Sequence, residues 1–187
     1  MRVIGGKYRG KEIFFLSSNN TRPLRDAVKE NIFNIIAHSK HIQVDLESSC
    51  VLDLYSGIGS FGIECVSRNS KSATFVEKND LAFSTLEKNI KNLNIEDKTE
   101  LFFLDINSFL SNYSKVKKFD IVFFDPPYKD KEYLNAINFI KKMDILKKKH
   151  LIIIHRETKD NEDYNNVLNI LLMKKYGRSK VIFGNLI

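Results

Sequence analysis

Val51-Leu52-Asp53-Leu54-Tyr55-Ser56-Gly57-Ile58-Gly59-Ser60-Phe61-Gly62 is the stretch on which the fold turns. An apolar run carrying one acid leads into Gly57, Gly59 and Gly62 at G-x-G-x-x-G spacing. That pattern reads as a buried strand, a tight turn and a helix, here running to about Arg68. Downstream the same unit recurs. Ala73–Val76 is a strand and Asp80 to Leu93 a helix. Leu101–Leu104 is a strand followed by a short helical piece near Ser108–Tyr113. Ile121–Phe124 is a strand followed by a helix near Tyr133–Met143, and Leu151–Ile154 is a further strand. Alternation of this kind predicts an α/β fold with a mostly parallel sheet covered on both faces. Val167–Lys174 and Lys180–Phe183, around Tyr176-Gly177-Arg178, read as a closing hairpin.

Upstream, residues 2–16 read as two short strands punctuated by Gly5-Gly6 and Gly10. Pro23 suits a helix start, and Ala27, Val28, Ile32, Phe33, Ile35 and Ile36 make an apolar stripe to about His38. Residues 39–49 are polar and read as a linker. The expected organisation is an N-terminal basic β-extension and helix over 1–45, and a ligand-binding domain over 46–187.

Ligands on a doubly wound sheet bind beyond the carboxyl ends of the strands. Successive strand ends carry Asp53, Glu77 and Asp105. The glycine spacing, with Glu77 twenty residues beyond Gly57, also fits a dinucleotide. Asp53 favours a different ligand, because a carboxylate there repels a pyrophosphate but accepts from an ammonium. S-adenosylmethionine carries both an ammonium and a sulfonium. On that reading Tyr55, Gly57 and Gly59 let the backbone approach its amino-acid part. Glu77 takes the ribose hydroxyls, Asp105 takes the adenine amine, and Ile106 lies on the ring. The fourth strand ends in Asp125-Pro126-Pro127-Tyr128. The prolines stiffen the turn and remove two backbone donors. Asp125 and the Pro126 carbonyl can then hold the two hydrogens of an exocyclic amine, while Tyr128 offers a face for a base. No metal is expected.

Asp125-Pro126-Pro127-Tyr128 resembles the D-P-P-Y box of amino-directed methyltransferases. The chain as a whole is similar to the bacterial family that methylates guanine N2 in 16S ribosomal RNA. That resemblance runs through Met1–Gly10, Thr21-Arg22-Pro23, Glu30, Phe33-Asn34-Ile35, Asp53–Glu64, Phe75-Val76-Glu77, Phe119-Asp120, the box and Tyr176-Gly177. It implies a Rossmann-like methyltransferase fold: a seven-stranded sheet with an antiparallel last strand, plus a small N-terminal β-extension and helix. It also implies a substrate of 16S rRNA in an assembled or assembling small ribosomal subunit. The family's RNA-contact role carries over to Arg2, Lys7, Arg9, Arg22 and Arg25. The chain departs from the family at Leu24, at Ala27, at Tyr55-Ser56, and at His155, where the fifth strand often ends in an acid.

Charge and composition agree with this direction. The 187 residues carry a net charge of +7. Four of the seven arginines, Arg2, Arg9, Arg22 and Arg25, fall in the first 30 residues, and arginine is the better phosphate binder. Dispersed lysine says less, since an AT-biased genome also produces it. Cys50 and Cys65 are the only cysteines, too few for a disulfide framework. Apolar runs are short, so no membrane contact is expected, and a cytoplasmic monomer is the expected form. His38, His41, His150 and His155 have no metal spacing and read as surface or satisfied core residues. A DNA adenine-N6 methyltransferase, a nicotinamide oxidoreductase and a non-catalytic RNA-binding protein remain as alternatives.

Overall fold

The computed structural model describes residues 1–15, 24–114, 117–127, 129–164 and 166–187. Its sheet is built from β1 (Cys50–Leu54), β2 (Ser72–Glu77), β3 (Thr99–Phe103), β4 (Phe119–Phe124), β5 (Leu146–Glu157), β6 (Leu168–Tyr176) and β7 (Ser179–Leu186). The helices are α1 (Asp26–His38), α2 (Ser60–Ser67), α3 (Asp80–Leu93), α4 (Ile106–Asn112) and α5 (Tyr133–Met143). The strands lie in the order β3-β2-β1-β4-β5-β7-β6. The first five of these run parallel, and β7 is antiparallel to both β5 and β6. This is the expected seven-stranded sheet. The hairpin closes it with β7 inserted between β5 and β6.

The continuous apolar strands follow from burial on both faces. Val51, Phe75, Phe123, Ile153 and Phe183 pack under α1, α2 and α3. Leu52, Val76, Val122, Ile152 and Ile182 pack under α4 and α5. Phe61 of α2 stacks 4.0 Å from Phe123 and 5.3 Å from Phe33 of α1, which fastens α1 over the sheet.

The N-terminal segment folds back on itself over a shorter span than the expected pair of strands: Val3 N–H donates to the Lys11 carbonyl, Gly10 N–H to the Val3 carbonyl and Ile13 N–H to the Met1 carbonyl, each at 2.9 Å. Among the described residues these bonds frame an isolated antiparallel bridge, Arg2 with Glu12. Other backbone groups of the segment dock on α2. Ile4 N–H donates to Glu64 Oε2 at 2.9 Å, Lys7 N–H to the Ser67 carbonyl at 2.7 Å, and Tyr8 N–H to Ser67 Oγ at 3.0 Å. Val3, Ile13 and Leu24 enter the same buried cluster as Phe61 and Phe123. The helix begins at Asp26; Pro23 lies outside the described residues.

Beneath this segment sits a buried ion pair. Lys29 and Glu64 are both fully buried, with Nζ 3.8 Å from Oε2. Lys29 also donates to the Arg2 carbonyl at 3.0 Å and to Ser60 Oγ at 3.2 Å. Glu64 Oε1 accepts from Arg68 Nε at 2.8 Å. Burial lowers the Lys29 pKa, with the Glu64 and Asp26 charges opposing it. Removing one member of a buried pair leaves the other uncompensated. Glu64→Leu is therefore expected to cost about 3–5 kcal/mol in urea unfolding. It should also release the first residues to protease, because Ile4 loses its acceptor and Lys29 its counter-charge together. Native-like protection of that segment in the variant would refute this account.

Candidate active site

The strand order reverses between β1 and β4, and α/β sheets bind ligands outside the carboxyl ends of the strands at such a switch point. Asp53 lies inside β1, in register with Phe75 on β2 and Phe123 on β4, and is almost fully buried. Its Oδ2 accepts from Gly62 N–H of α2 at 2.9 Å. Burial pushes the Asp53 carboxyl well up, the Gly62 bond opposes this, and the neighbouring charges of Asp125 and Glu77 push it further. Asp53 therefore feels the charges of both Asp125 and Glu77, and a cation placed beside it would relieve that repulsion.

Tyr55 follows β1 with φ 59°, left-handed backbone that a bulky residue adopts only when its surroundings demand it. Burial and the Asp130 carboxylate push its phenol pKa up. Gly57 has φ 55°, and a Cβ built there would meet nothing within 4 Å. Its N–H donates to Glu77 Oε2 at 2.8 Å. Gly57 thus borders open space beside an acid, a cradle that a side chain would begin to fill. Gly59 differs: at φ 85° it precedes α2, and a Cβ would lie 2.4 Å from Leu86 Cδ1. Close packing accounts for Gly59, whereas Gly57 combines left-handed backbone with open space.

Glu77 closes β2 and ties the glycine turn to the next helix. Its Oε2 holds Gly57 and its Oε1 accepts from Asn79 N–H at 2.7 Å. Asp105 is exposed and caps α4, accepting from Ser108 N–H at 3.0 Å and Ser108 Oγ at 2.6 Å. The Ser108 hydrogen bonds hold its carboxyl below the usual range. Asp105 has a capping role that sequence reading did not anticipate. Ile106, the first residue of α4, is half-buried against the core.

Asp125 follows β4 and Pro126 is buried behind it. Two side chains at the end of the adjacent strand β5 grip this turn. His155 Nδ1 lies 2.8 Å from Asp125 Oδ1. Arg156 Nη1 donates to the Pro127 carbonyl at 3.0 Å. Arg156 is fully buried, its Nη2 lying 2.9 Å from Glu162 and 3.0 Å from Asp160, and its guanidinium 4.7 Å from the Tyr133 ring centroid. Among the described residues none donates to the Pro126 carbonyl. Tyr128 lies outside the described residues.

His155 is buried and hydrogen-bonded, as a satisfied core histidine is, and its partner is Asp125 of the proline turn. Its signal was position: β5 neighbours β4, and Ile154 pairs with Phe124, so His155 and Asp125 emerge side by side. Burial pulls the imidazole pKa down. The Asp125 charge and hydrogen bond together outweigh that, and the net direction is upward from 6.5.

Of the predicted RNA-contact residues, Arg2, Lys7, Arg9 and Arg25 are exposed, and Arg22 lies outside the described residues. Arg2 sits 3.9 Å from Asp26. Among the described residues no three His, Cys, Asp or Glu side chains gather as a metal site, and no helix is long and apolar enough to cross a membrane.

Known proteins were compared with this chain. It is 34% identical over 159 residues to "Ribosomal RNA small subunit methyltransferase D" of Buchnera aphidicola, covering 85% of this chain and 79% of that protein. A protein of the same name from Haemophilus influenzae is 33% identical over 158 residues, covering 84% and 79%. Among solved structures, "Putative methyltransferase yhhF from Escherichia coli" superposes with a TM-score of 0.83 at 25% identity, covering 100% of this chain and 97% of that one. With residues 1–185 matching its pattern, the chain belongs to the family described as Conserved hypothetical protein 95.

Proposed function

We propose that the protein transfers a methyl group from S-adenosylmethionine to the exocyclic N2 amine of a guanine in 16S rRNA of the small ribosomal subunit. The observation that carries this reading is the meeting of two sites at one sheet end: the acid cluster of Asp53 and Glu77, and the Asp125-Pro126-Pro127 turn. Relatives named as small-subunit rRNA methyltransferases support it.

The residues fit the cofactor. Asp53 and the Gly57 turn receive the amino-acid part, beside Tyr55 and Gly59. Glu77 receives the ribose, and Asp105 with Ile106 the adenine. A diphosphate would meet the same acids and be repelled, which disfavours a nicotinamide cofactor. When bound, S-adenosylmethionine supplies a methyl group made electrophilic by its sulfonium.

The protein's task is then to present the amine. An aromatic amine is a weak nucleophile because its lone pair is delocalised into the ring. Asp125 and the Pro126 carbonyl accept its two hydrogens, and the nitrogen lone pair turns toward the methyl group. Alignment of this kind is worth up to about 7–11 kcal/mol. Tyr128 stacks on the base. His155 occupies Asp125 Oδ1 and leaves Oδ2 for the amine and for the proton it sheds. The exposed Arg2, Lys7, Arg9 and Arg25, with Arg22, hold the RNA backbone. The protein works as a cytoplasmic monomer on an assembled or assembling subunit, with residues 1–45 as RNA-binding extension and 46–187 as methyltransferase domain.

Methyl incorporation into naked 16S RNA, small subunits and duplex DNA tests the reading. Guanine N2 methylation of RNA is expected, with subunits preferred; adenine methylation in duplex DNA would replace it with the DNA adenine-N6 methyltransferase reading.

His155 allows a sharper check. His155→Leu should lower kcat about tenfold, the order of one lost charge-assisted hydrogen bond, with cofactor affinity kept. His155→Asn, which retains an N–H donor, should recover most of the loss. The pair also links stability to pH. With a raised folded pKa, its contribution is full below the unfolded value near 6.5 and fades as pH rises through the folded value. The stability gap between wild type and His155→Leu should thus be wider at about pH 6 than at about pH 9. A gap that widens with pH would reverse the assignment.

A further inference from the structure

We infer that the β6–β7 hairpin, through Lys174, Lys175 and Arg178, is a second RNA-backbone contact that flanks the methylation site. This rests on the RNA substrate proposed above. Because β7 is antiparallel to β5, the turn between β6 and β7 emerges at the carboxyl end of the parallel strands, the end that carries Asp53 and Asp125. Register makes the placement specific. Asp125 and His155 are bonded neighbours, His155 pairs with Val181, and Val181 pairs with Lys174. With strands about 4.8 Å apart, Lys174 stands roughly 14 Å along the sheet from Asp125. Beyond it, Tyr176-Gly177-Arg178 forms the turn. That distance matches a few nucleotides of strand on either side of a base held at Asp125.

Lys174, Lys175 and Arg178 are exposed, and among the described residues none is in an ion pair. Glu157, opposite Ser179, is the acid nearest in the ladder, and it neutralises none of them. Arginine usage is telling. Arg68 and Arg156 are engaged by buried acids, whereas Arg178 stands free at a turn. Lys175 sits directly opposite Lys180, itself opposite Arg156, so one row across three strands is entirely cationic. Like charges directly opposed in an antiparallel pair destabilise it. Arg156 is offset by Asp160 and Glu162, and Lys180 Nζ donates to the Asp160 carbonyl; Lys175 has no such relief. Edge-strand lysines also deter sheet-to-sheet association. That role explains neither Arg178 in the turn nor a lysine facing another lysine. A polyanion laid across the hairpin accounts for both.

The test is the full chain carrying Lys174→Glu, Lys175→Glu and Arg178→Glu together; acidic side chains guard the edge equally well. With small subunits as substrate, KM for the subunit should rise about tenfold, while kcat at saturation and S-adenosylmethionine affinity stay at wild-type values. The dependence of log affinity for 16S RNA on log salt should become shallower by about two to three units. Lys175→Gln alone should weaken RNA binding yet raise Tm by about 1–3 °C, a combination that a structural lysine would not give. A triple variant with the wild-type salt slope and KM sinks the proposal, as does aggregation of Lys175→Gln with undiminished RNA affinity. If wild-type protein itself showed no salt-dependent RNA binding, the RNA substrate would fall and the hairpin role with it. Normal wild-type binding with indifferent hairpin variants would remove the hairpin role alone.

Discussion

Asp125→Ala is expected to reduce kcat by about two to three orders of magnitude, the scale seen when one preorganised polar partner of a developing charge is removed. The carboxylate is asked to do two things at once: accept an amine hydrogen, and face the charge that grows on nitrogen as the methyl group arrives. Its placement is unusually well supported. His155 holds Oδ1 at 2.8 Å, and Arg156 anchors the same turn two residues on through the Pro127 carbonyl. Loss of Asp125 should leave cofactor binding nearly intact, since its contacts are with the acceptor. Calorimetry with S-adenosylmethionine and single-turnover methyl transfer separate the two. Lost cofactor affinity with unchanged turnover at saturation would reassign Asp125 to the cofactor site. Asp125→Asn keeps an acceptor oxygen and should fall between wild type and alanine.

Glu77→Ala should weaken S-adenosylmethionine binding by about 10- to 100-fold. Hydrogen bonds to a charged group are worth about 1.5–3 kcal/mol, and tenfold in affinity corresponds to about 1.4 kcal/mol. The geometry adds a second cause. Glu77 also accepts from Gly57 and Asn79, so its loss loosens the glycine turn that borders the cofactor. Turnover at saturating cofactor should change far less than affinity. Thermal shift gives the readout: at a hundredfold excess over its dissociation constant, the cofactor stabilises wild type by about 2.7 kcal/mol, and the variant should need much more ligand for the same shift. Equal ligand dependence in the two proteins would exclude Glu77 from the site. Asp53→Ala is the less clean experiment, because its carboxylate is buried and also bonds to Gly62 at the start of α2.

The architecture was readable from patterns that local physics dictates. Strands buried on both faces must be continuously apolar, as Leu151–Ile154 is, and helices over them must show a stripe, as α3 does. Glycine at a strand-to-helix turn and proline after a strand are equally local signals. For that reason the seven strands and the acids at Asp53, Glu77 and Asp125 could be placed from sequence. The docking of the N-terminal segment could not. Residues 2–13 pair with each other, as their glycine-punctuated apolar pattern suggested, but where they dock depends on what lies beside them, and the Ser67 and Glu64 acceptors of α2 lie about 60 residues away in sequence.

The box itself shows the same division. Asp125-Pro126-Pro127 announces acceptors without competing donors, because residue type alone removes the N–H groups. Nothing in that tripeptide says what holds it. His155 and Arg156 lie at the end of a strand that pairs with β4 only once the sheet has formed, and one step of register would have turned each to the opposite face. Asp105 makes the converse point, since the residue predicted to face a ligand also caps α4, a role set by the helix that starts beside it. Chemistry carried by one residue type at a strand end can be read along the chain. Partnerships between strand ends are properties of the sheet, because they join residues that only register brings within hydrogen-bonding distance.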